Sequence, residues 1–376
     1  MKHNILIENY DKRMCGWMKK ESVSTFKVAA TYIGTIVGAG FATGQEMLQF
    51  FARFGIHGLY GLVLTAVLFI VFGFLIMEIG RMINADSHLD IIRYAGGKFL
   101  GTIIDWIITF FLFGALTAMI AGAGALFVEQ FNLSSLIGNV VMAIITALTV
   151  LTGINGVINS ISIVVPFLLV SVLGISIYSI VQTPPDLGQV ITGVEGSELV
   201  SNWWLAAILY LSYNVVLSIS VLGPLGVKAK DKKALSYGAI LGGLGLGLGS
   251  IMIFLAIFGN VSEVTSLEVP MIYIAGKISP VVQIIYAVIL IAEVYTTSVS
   301  SLFGFVARLT ETNKSKSRTR TIVLVTIILA FIASQFGFSN LVKYMYPLVG
   351  YGGIILLICI LYSRFKKNVN LHMRGK

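Results

Sequence analysis

Apolar runs long enough to cross a lipid bilayer follow one another along almost the whole chain. A hydrocarbon core is crossed by about 20 apolar residues in a helix. Inside lipid every backbone amide must find its partner within the protein, so only helices and closed barrels span it. Barrel strands would show as alternating runs of about ten residues, and no such alternation is present. Only 11% of residues are charged, against about 25% in soluble domains. The 376-residue chain is therefore expected to be all-α, a polytopic membrane helix bundle. Its spans, about ten, cover roughly 27–54, 57–80, 99–129, 135–152, 157–181, 201–225, 234–259, 279–308, 321–337 and 341–363. The third and eighth are near 30 residues and should tilt or protrude.

The basic residues fix an orientation. With the N-terminus in the cytoplasm, all of the 26 lysines and arginines except Arg53, Lys277 and Lys343 fall on the cytoplasmic side. That is the positive-inside pattern, and it places both termini in the cytoplasm of a bacterial inner membrane. The expected organisation is an N-terminal segment over 1–26, one transmembrane domain over 27–363 and a tail over 364–376. The net charge of +9 sits in short loops, where it meets anionic headgroups. No basic face with interleaved aromatics suggests nucleic acid. Membrane lipids and a small-molecule substrate are the expected partners, and oligomeric state leaves no trace in the sequence. The polar start lacks an apolar core and cleavage site, so no signal peptide is expected. Trp17–Lys20 reads either as a short interfacial helix or as part of a tail. Cys15 and Cys359 form neither a metal-ligand spacing nor a disulfide framework. No phosphate-binding G-x-x-x-x-G-K-[ST] occurs, and His3, His57, His88 and His372 are scattered. ATP-driven pumping, metalloprotease chemistry, enzymatic activity in general and a cofactor are accordingly not expected.

Three spans carry chemistry. The first reads Tyr32-Ile33-Gly34-Thr35-Ile36-Val37-Gly38-Ala39-Gly40-Phe41-Ala42-Thr43-Gly44-Gln45-Glu46. Glycine costs about 1 kcal/mol in a helix interior, so four of them point to a backbone that departs from the helix. Such a break is tolerated in a membrane only beside protein or a water-filled cavity, and its freed groups can hold ions and charged substrate ends. Close packing through Gly34 and Gly38 is the competing explanation. The sixth span carries Asn214 near its middle, with Ser212, Tyr213, Ser218 and Ser220 around it. It lies five spans after the first, so the two polar-interrupted segments occupy corresponding positions in two halves of opposite orientation, the sequence pointer to a transporter site. An interhelical hydrogen bond also accounts for Asn214.

The eighth span places Glu293 near its middle, with Thr297, Ser300 and Gly304 on the same helical stripe and Thr296 adjacent. A carboxylate there is expensive, so it must be protonated, paired or beside a cation. Hydroxyl oxygens with backbone carbonyls suit a hard cation, and interhelical bonding by Ser and Thr is the alternative. Among other charges, Asp105 reads as the cytoplasmic rim, Glu78 as a partner of Arg81, and Glu46 and Arg53 as facing an external vestibule. The external connections 182–200 and 260–278 read as linkers or as an extracellular cap, and the span-seven glycines 242, 243, 245, 247 and 249 as tight packing or a flexing point.

The run Gly34 to Glu46 resembles the signature of the bacterial YkvI-type membrane proteins, a family similar to the amino acid–polyamine–organocation superfamily. The resemblance implies a LeuT-type five-plus-five inverted repeat, with repeats over about 27–181 and 201–363 and discontinuous helices one and six. It implies a substrate site at Val37, Gly38, Ala39, Gly40, Phe41 and Thr43 with Tyr213, Asn214 and Ser218. It also implies an ion-coupling site at Gly34 and Val37 with Thr296, Thr297 and Ser300, where a bound Na+ would resemble that of sodium-coupled relatives. Glu293 departs from those relatives and keeps H+ coupling open beside Na+. The function implied is secondary active transport of an amino acid or similar small zwitterion or organocation by alternating access. The alternative is a transporter-fold sensor or partner subunit that binds a ligand without moving it.

Overall fold

A computed structural model describes residues 23–374 apart from 86, 153–156, 189–195 and 310–315. Trp17–Lys20, Cys15 and Glu195 lie outside the described residues. The described chain is a helix bundle, and among the described residues seven helices are long and apolar enough to cross a membrane by length and composition.

The first span is broken. It consists of α1 (Thr25–Ile36), α2 (Ala39–Thr43), α3 (Gln45–Phe50) and a 3-10 turn at Ala52–Phe54. Then come α4 (Ile56–Ile83), α5 (His88–Phe131), α6 (Ser135–Thr152) and α7 (Val157–Gln182). The second half runs through α8 (Trp203–Lys228), α9 (Lys232–Phe258), the short α10 (Val261–Val264) and α11 (Pro270–Ile278), α12 (Pro280–Leu309) and α13 (Lys316–Ser334). It closes with α14 (Phe338–Asn340), a π-helical turn at Leu341–Met345 and α15 (Tyr346–Arg374).

Two expectations are corrected. The sixth span is not discontinuous: α8 runs unbroken from Trp203 to Lys228. No glycine interrupts it before Gly223. Three of its polar side chains bond back to their own helix: Asn214 Nδ2 donates to the Tyr210 carbonyl at 2.8 Å, Ser218 Oγ to Val215 and Ser220 Oγ to Leu217, while Ser212 Oγ donates to the Gly350 carbonyl of α15. Side chains that find partners this way leave the backbone ladder intact. The third helix, in turn, starts earlier than its apolar run. Ser87 and Asp90 form a capping box at its head, and the polar segment 88–98 is joined to the span through a kink at Gly97 (φ 69°). A glycine takes that φ at little cost.

The interior is built by close approach. A Cβ on Gly80 would lie 2.3 Å from the Gly223 carbonyl oxygen, and one on Gly226 1.9 Å from that of Met77, so α4 and α8 touch through their backbones. In α9, Gly238 receives Val28, Gly242 receives Tyr32 and Gly243 receives Ile70, which seats α9 on α1 and α4. Tight packing, the first of the two readings of these glycines, is what they do. α12 packs on α5, and α15 on α8 and α5. Outward-facing positions carry large apolar side chains such as Phe99, Trp106, Phe167 and Tyr362, as a lipid-facing surface requires.

Candidate functional site

The break in the first span sits in the middle of this packing. α1 ends at Ile36, Val37 turns extended (φ −68°, ψ 108°), Gly38 is extended too (φ −128°, ψ −172°), and α2 starts at Ala39. An interrupted helix leaves the last carbonyls of α1 and the first amides of α2 without intrahelical partners. Gly44 makes a second turn, at φ 82°, where a Cβ would also meet Ile257 at 2.6 Å; both constraints reserve that position for glycine. Thr43 Oγ1 donates to the Gly40 carbonyl at 3.1 Å and accepts from the Gln45 amide at 3.3 Å, which steadies the turn.

Gly38 and Gly40 serve opposite purposes. A Cβ on Gly38 would meet nothing within 4 Å, so the break opens onto free space. One on Gly40 would lie 2.3 Å from Glu46 Oε1, because the Glu46 side chain folds back over that glycine. Glu46 is buried, 6% exposed, and its Oε2 accepts from Tyr210 Oη at 3.0 Å. This corrects its expected place in an external vestibule: the turn at Gly44 swings α3 inward, so depth along a straight helix misplaces it.

The tyrosine that holds that carboxyl belongs to an aromatic cluster. Tyr210 and Tyr213, one helical turn apart on α8, stand edge to face with centroids 5.5 Å apart. Tyr213 packs on Tyr346 at 5.0 Å, on Phe50 at 5.8 Å and on Phe111 at 6.0 Å. The Tyr213 hydroxyl is buried and lacks a hydrogen-bond partner. Of the proposed substrate residues, Val37, Ala39, Gly40, Phe41, Thr43, Tyr213, Asn214 and Ser218 are buried, and Gly38 is half-buried at the opening. Asn214 Nδ2 and Ser218 Oγ donate within their own helix, as described above.

A second buried carboxyl lies on α12. Glu293, 3% exposed, accepts from Thr297 Oγ1 at 3.3 Å through Oε1, while its Oε2 is buried and unpartnered. Thr296 and Ser300 donate to the carbonyls of Glu293 and Thr296, so these hydroxyls are engaged with their own helix. α12 meets the broken span at α2, where Tyr286 Oη donates to the Ala42 carbonyl. Tyr286 precedes Glu293 by seven residues and shares its face. Gly34 is half-buried on α1, three residues before Val37.

Polar ties close both ends of this centre. At one end, the Glu129 carboxylate accepts from the amides of Glu268 and Val269 (2.6 and 3.1 Å), and Glu268 accepts from the Ser339 amide at 3.2 Å. Ser339 Oγ in turn accepts from Gln45 and Gln49. The connection 260–278 thus forms a cap, and burial pushes the Glu268 carboxyl above its ordinary pKa. At the other end, Val23 bridges to Ala229, with Val23 N to Lys228 O at 2.9 Å and Lys230 N to Val23 O at 3.0 Å. There Asp105 pairs with Arg308. Glu78 pairs with Lys232 (3.0 Å) and Arg364 (3.2 Å). Arg81, expected as the partner of Glu78, donates to the Ala229 carbonyl at 3.1 Å. The sequence reading missed Tyr210, Phe111, Tyr346 and Ser339, because they join the site only through tertiary packing; Tyr210 and Tyr213 at i and i+3 were the one local signal.

No protein-family model matches the chain. The membrane protein YkvI of Bacillus subtilis (strain 168), described as uncharacterized, is 29% identical over 94% of this chain and 100% of its own length. Among solved structures, the inward-facing conformation of Mhp1 superposes with a TM-score of 0.63 at 15% identity, covering 90% of this chain and 76% of Mhp1. MhsT in complex with L-phenylalanine gives 0.57 at 19% identity, covering 87% of each chain. The chain is therefore similar along its length to the membrane protein YkvI, and it shares the LeuT-type fold of Mhp1 and MhsT.

Proposed function

We propose that this protein is a secondary active transporter that moves a small amino acid, zwitterion or organocation by alternating access, coupled to Na+ or H+. The observation that carries the proposal is the helix break at Val37–Gly38, held inside the bundle and open to free space at Gly38. A membrane protein tolerates such backbone where a cavity or ligand completes it. About ten spans in two inverted repeats, over roughly 27–181 and 201–363, fit the pairing of helices. α4 packs on α8 much as its repeat counterpart α9 packs on α1, and α5 packs on its counterpart α12. The basic end, with Val23, Lys228 and Arg364, is then cytoplasmic by the positive-inside rule, as are both termini, in a bacterial inner membrane.

Within this scheme Val37 to Thr43 and Tyr213 line the substrate site. The coupling ion belongs beside Glu293. α12 runs antiparallel to the broken span, so stepping back from Ala42 to Val37 and onward from Tyr286 to Glu293 reaches a similar depth. There the unpartnered Oε2 of Glu293, Thr297 and the α1 carbonyls from Gly34 to Val37 offer oxygen ligands for Na+, or Glu293 takes up H+. Mhp1 is described as a nucleobase-cation-symport-1 family transporter, and the structure of MhsT holds L-phenylalanine; both are consistent with a small organic solute here.

The test is counterflow in proteoliposomes loaded with amino acids and amines, in sodium and in choline buffer. Accumulation of labelled solute supports transport. Ligand-dependent thermal stabilisation without any counterflow would instead identify a binding sensor.

A further inference from the structure

At the basic end of the bundle, away from the central site, three side chains form one cluster. Arg308 of α12 donates through one amino group to Asp105 and through the other to His88 Nε2, the latter at 2.6 Å. The same Nε2 lies 3.2 Å from Asp105 Oδ1. Thr109 Oγ1 accepts from Arg308 at 3.3 Å. The His88 and Arg308 side chains are 16% and 15% exposed and that of Asp105 36%, so the cluster is sheltered but reached by water. From α12 the charge that bears on His88 is Arg308; from its own helix it is Asp105 and Asp90.

These contacts fix the proton on the ring. A guanidinium only donates, so Nε2 must be the bare nitrogen that accepts from Arg308, and the proton of the neutral ring sits on Nδ1. A carboxylate only accepts, so the approach of Asp105 to a bare Nε2 is not a hydrogen bond. Protonation reverses the roles. An imidazolium donates from both nitrogens, so Arg308 loses its acceptor while Asp105 gains a donor at the distance already present. Burial, and then the Arg308 charge, hold His88 below its ordinary pKa of 6.5. The folded state binds this proton more weakly than the unfolded chain. The contact with Arg308 is therefore intact above that ordinary value and lost as pH falls through the lowered one.

The contact also joins two parts of the fold. His88 heads the arm 88–98, which meets its span at the Gly97 kink. A Cβ on Gly97 would meet nothing within 4 Å, so the joint has room to turn. Farther along the arm, Ile91 fills a notch in α8, where a Cβ on Gly223 would lie 2.1 Å from Ile91 Cδ1. The arm thus runs from α12 to α8, the helix that carries Tyr210 and Tyr213.

We propose that His88 is a proton-binding switch: the neutral ring latches the arm to Arg308 of α12, and the protonated ring turns to Asp105 and releases it. This goes beyond the transporter reading and does not need it. Release loosens the seat of Ile91 on Gly223, so acid on the side of the basic loops frees the adjoining end of α8.

The experiment uses the purified full-length protein with isotope-labelled histidine. Only four histidines are present, and the signal lost in His88→Gln identifies His88. Its nitrogen shifts should show the Nδ1–H tautomer at high pH. In parallel, a spin label at Arg93→Cys, an exposed arm position, with Cys15 and Cys359 replaced by serine, reports arm motion. The label should gain mobility as His88 takes up its proton. His88→Gln keeps an acceptor for Arg308 and cannot titrate, so its label should stay immobile at every pH. Asp105→Asn supplies a second readout if His88→Gln fails to fold: removing the carboxylate should move the His88 midpoint further down, and the signal that moves identifies the residue. An Nε2–H tautomer at high pH, an arm whose mobility ignores pH, the same pH response in His88→Gln, or a midpoint unmoved by Asp105→Asn overturns the proposal. Failure of the two ideas is separable. A pH-sensitive arm without counterflow removes transport and keeps the switch, whereas counterflow with a pH-insensitive arm removes the switch and keeps transport.

Discussion

Replacing Gly40 by alanine tests the geometry of the broken helix at its tightest point. The new Cβ would lie 2.3 Å from Glu46 Oε1, 3.0 Å from Cδ and 3.1 Å from Cγ, and real Cβ contacts essentially never fall below 3.0 Å. The carboxyl must therefore retreat by at least the difference, about 0.7 Å, inside a packed core. Its other oxygen is held by Tyr210 at 3.0 Å, so the retreat stretches or compresses that bond. Overpacking costs about 1–3 kcal/mol, and the weakened hydrogen bond about 0.5–1.5 kcal/mol. Alanine returns roughly 1 kcal/mol of helix propensity. The net is a destabilisation of about 1–3 kcal/mol, read as a lower melting temperature of the purified protein. Gly38→Ala is the control: its Cβ meets nothing within 4 Å and its backbone angles suit any residue, so its melting temperature should match wild type while counterflow falls. Shortening the acid in Gly40→Ala/Glu46→Asp should recover much of the stability, a coupling expected between touching residues. Equal melting temperatures for Gly40→Ala and wild type, with Gly38→Ala the less stable of the two, would refute the assignment.

Other outcomes follow from the same geometry. Glu293→Gln should abolish pH-driven uptake while sparing exchange, and unchanged pH-driven uptake would remove Glu293 from proton coupling. Gly226→Ala drives a Cβ into the Met77 carbonyl at 1.9 Å and should destabilise the bundle by about 1–3 kcal/mol through forced separation of α4 and α8, measured by thermal unfolding. Burial raises the Glu268 carboxyl, so the folded state holds its proton more tightly than the unfolded one. Stability from this group is then fully present below the ordinary carboxylate pKa of 4.5 and lost as pH rises through the raised folded value. Glu268→Gln should flatten that part of the pH–stability curve, and an unaltered curve would show that the cap does not titrate there.

Much of the fold was legible because the physics is one-dimensional. Apolar run length gives the helices, seven of which are long and apolar enough to cross a membrane among the described residues, and the spacing of Gly34, Gly38, Gly40 and Gly44 marks where the first helix gives way. Span six misled for a physical reason. Asn214 and Ser218 signal polarity in a membrane helix, yet polarity can be satisfied on the same helix, and only glycine in addition marks a true break. Glu293 was found because mid-span carboxyls are costly wherever they point. Glu46 was placed too far out because the turn at Gly44 redirects α3, and a count along a straight helix cannot register a φ of 82°. Its partner Tyr210, and Tyr346 and Phe111 that pack on Tyr213 a turn away, come from three other helices, so their convergence exists only in the packed bundle.

The most direct test of alternating access at the broken helix uses a thiol at its open position. Gly38→Cys, in a background with Cys15 and Cys359 replaced by serine, places a small side chain where nothing lies within 4 Å. Labelling with a membrane-impermeant thiol reagent is then compared in right-side-out and inside-out vesicles. Alternating access predicts modification from both sides, since each end opens in turn; modification from neither side, or from one side alone under every condition, would contradict it.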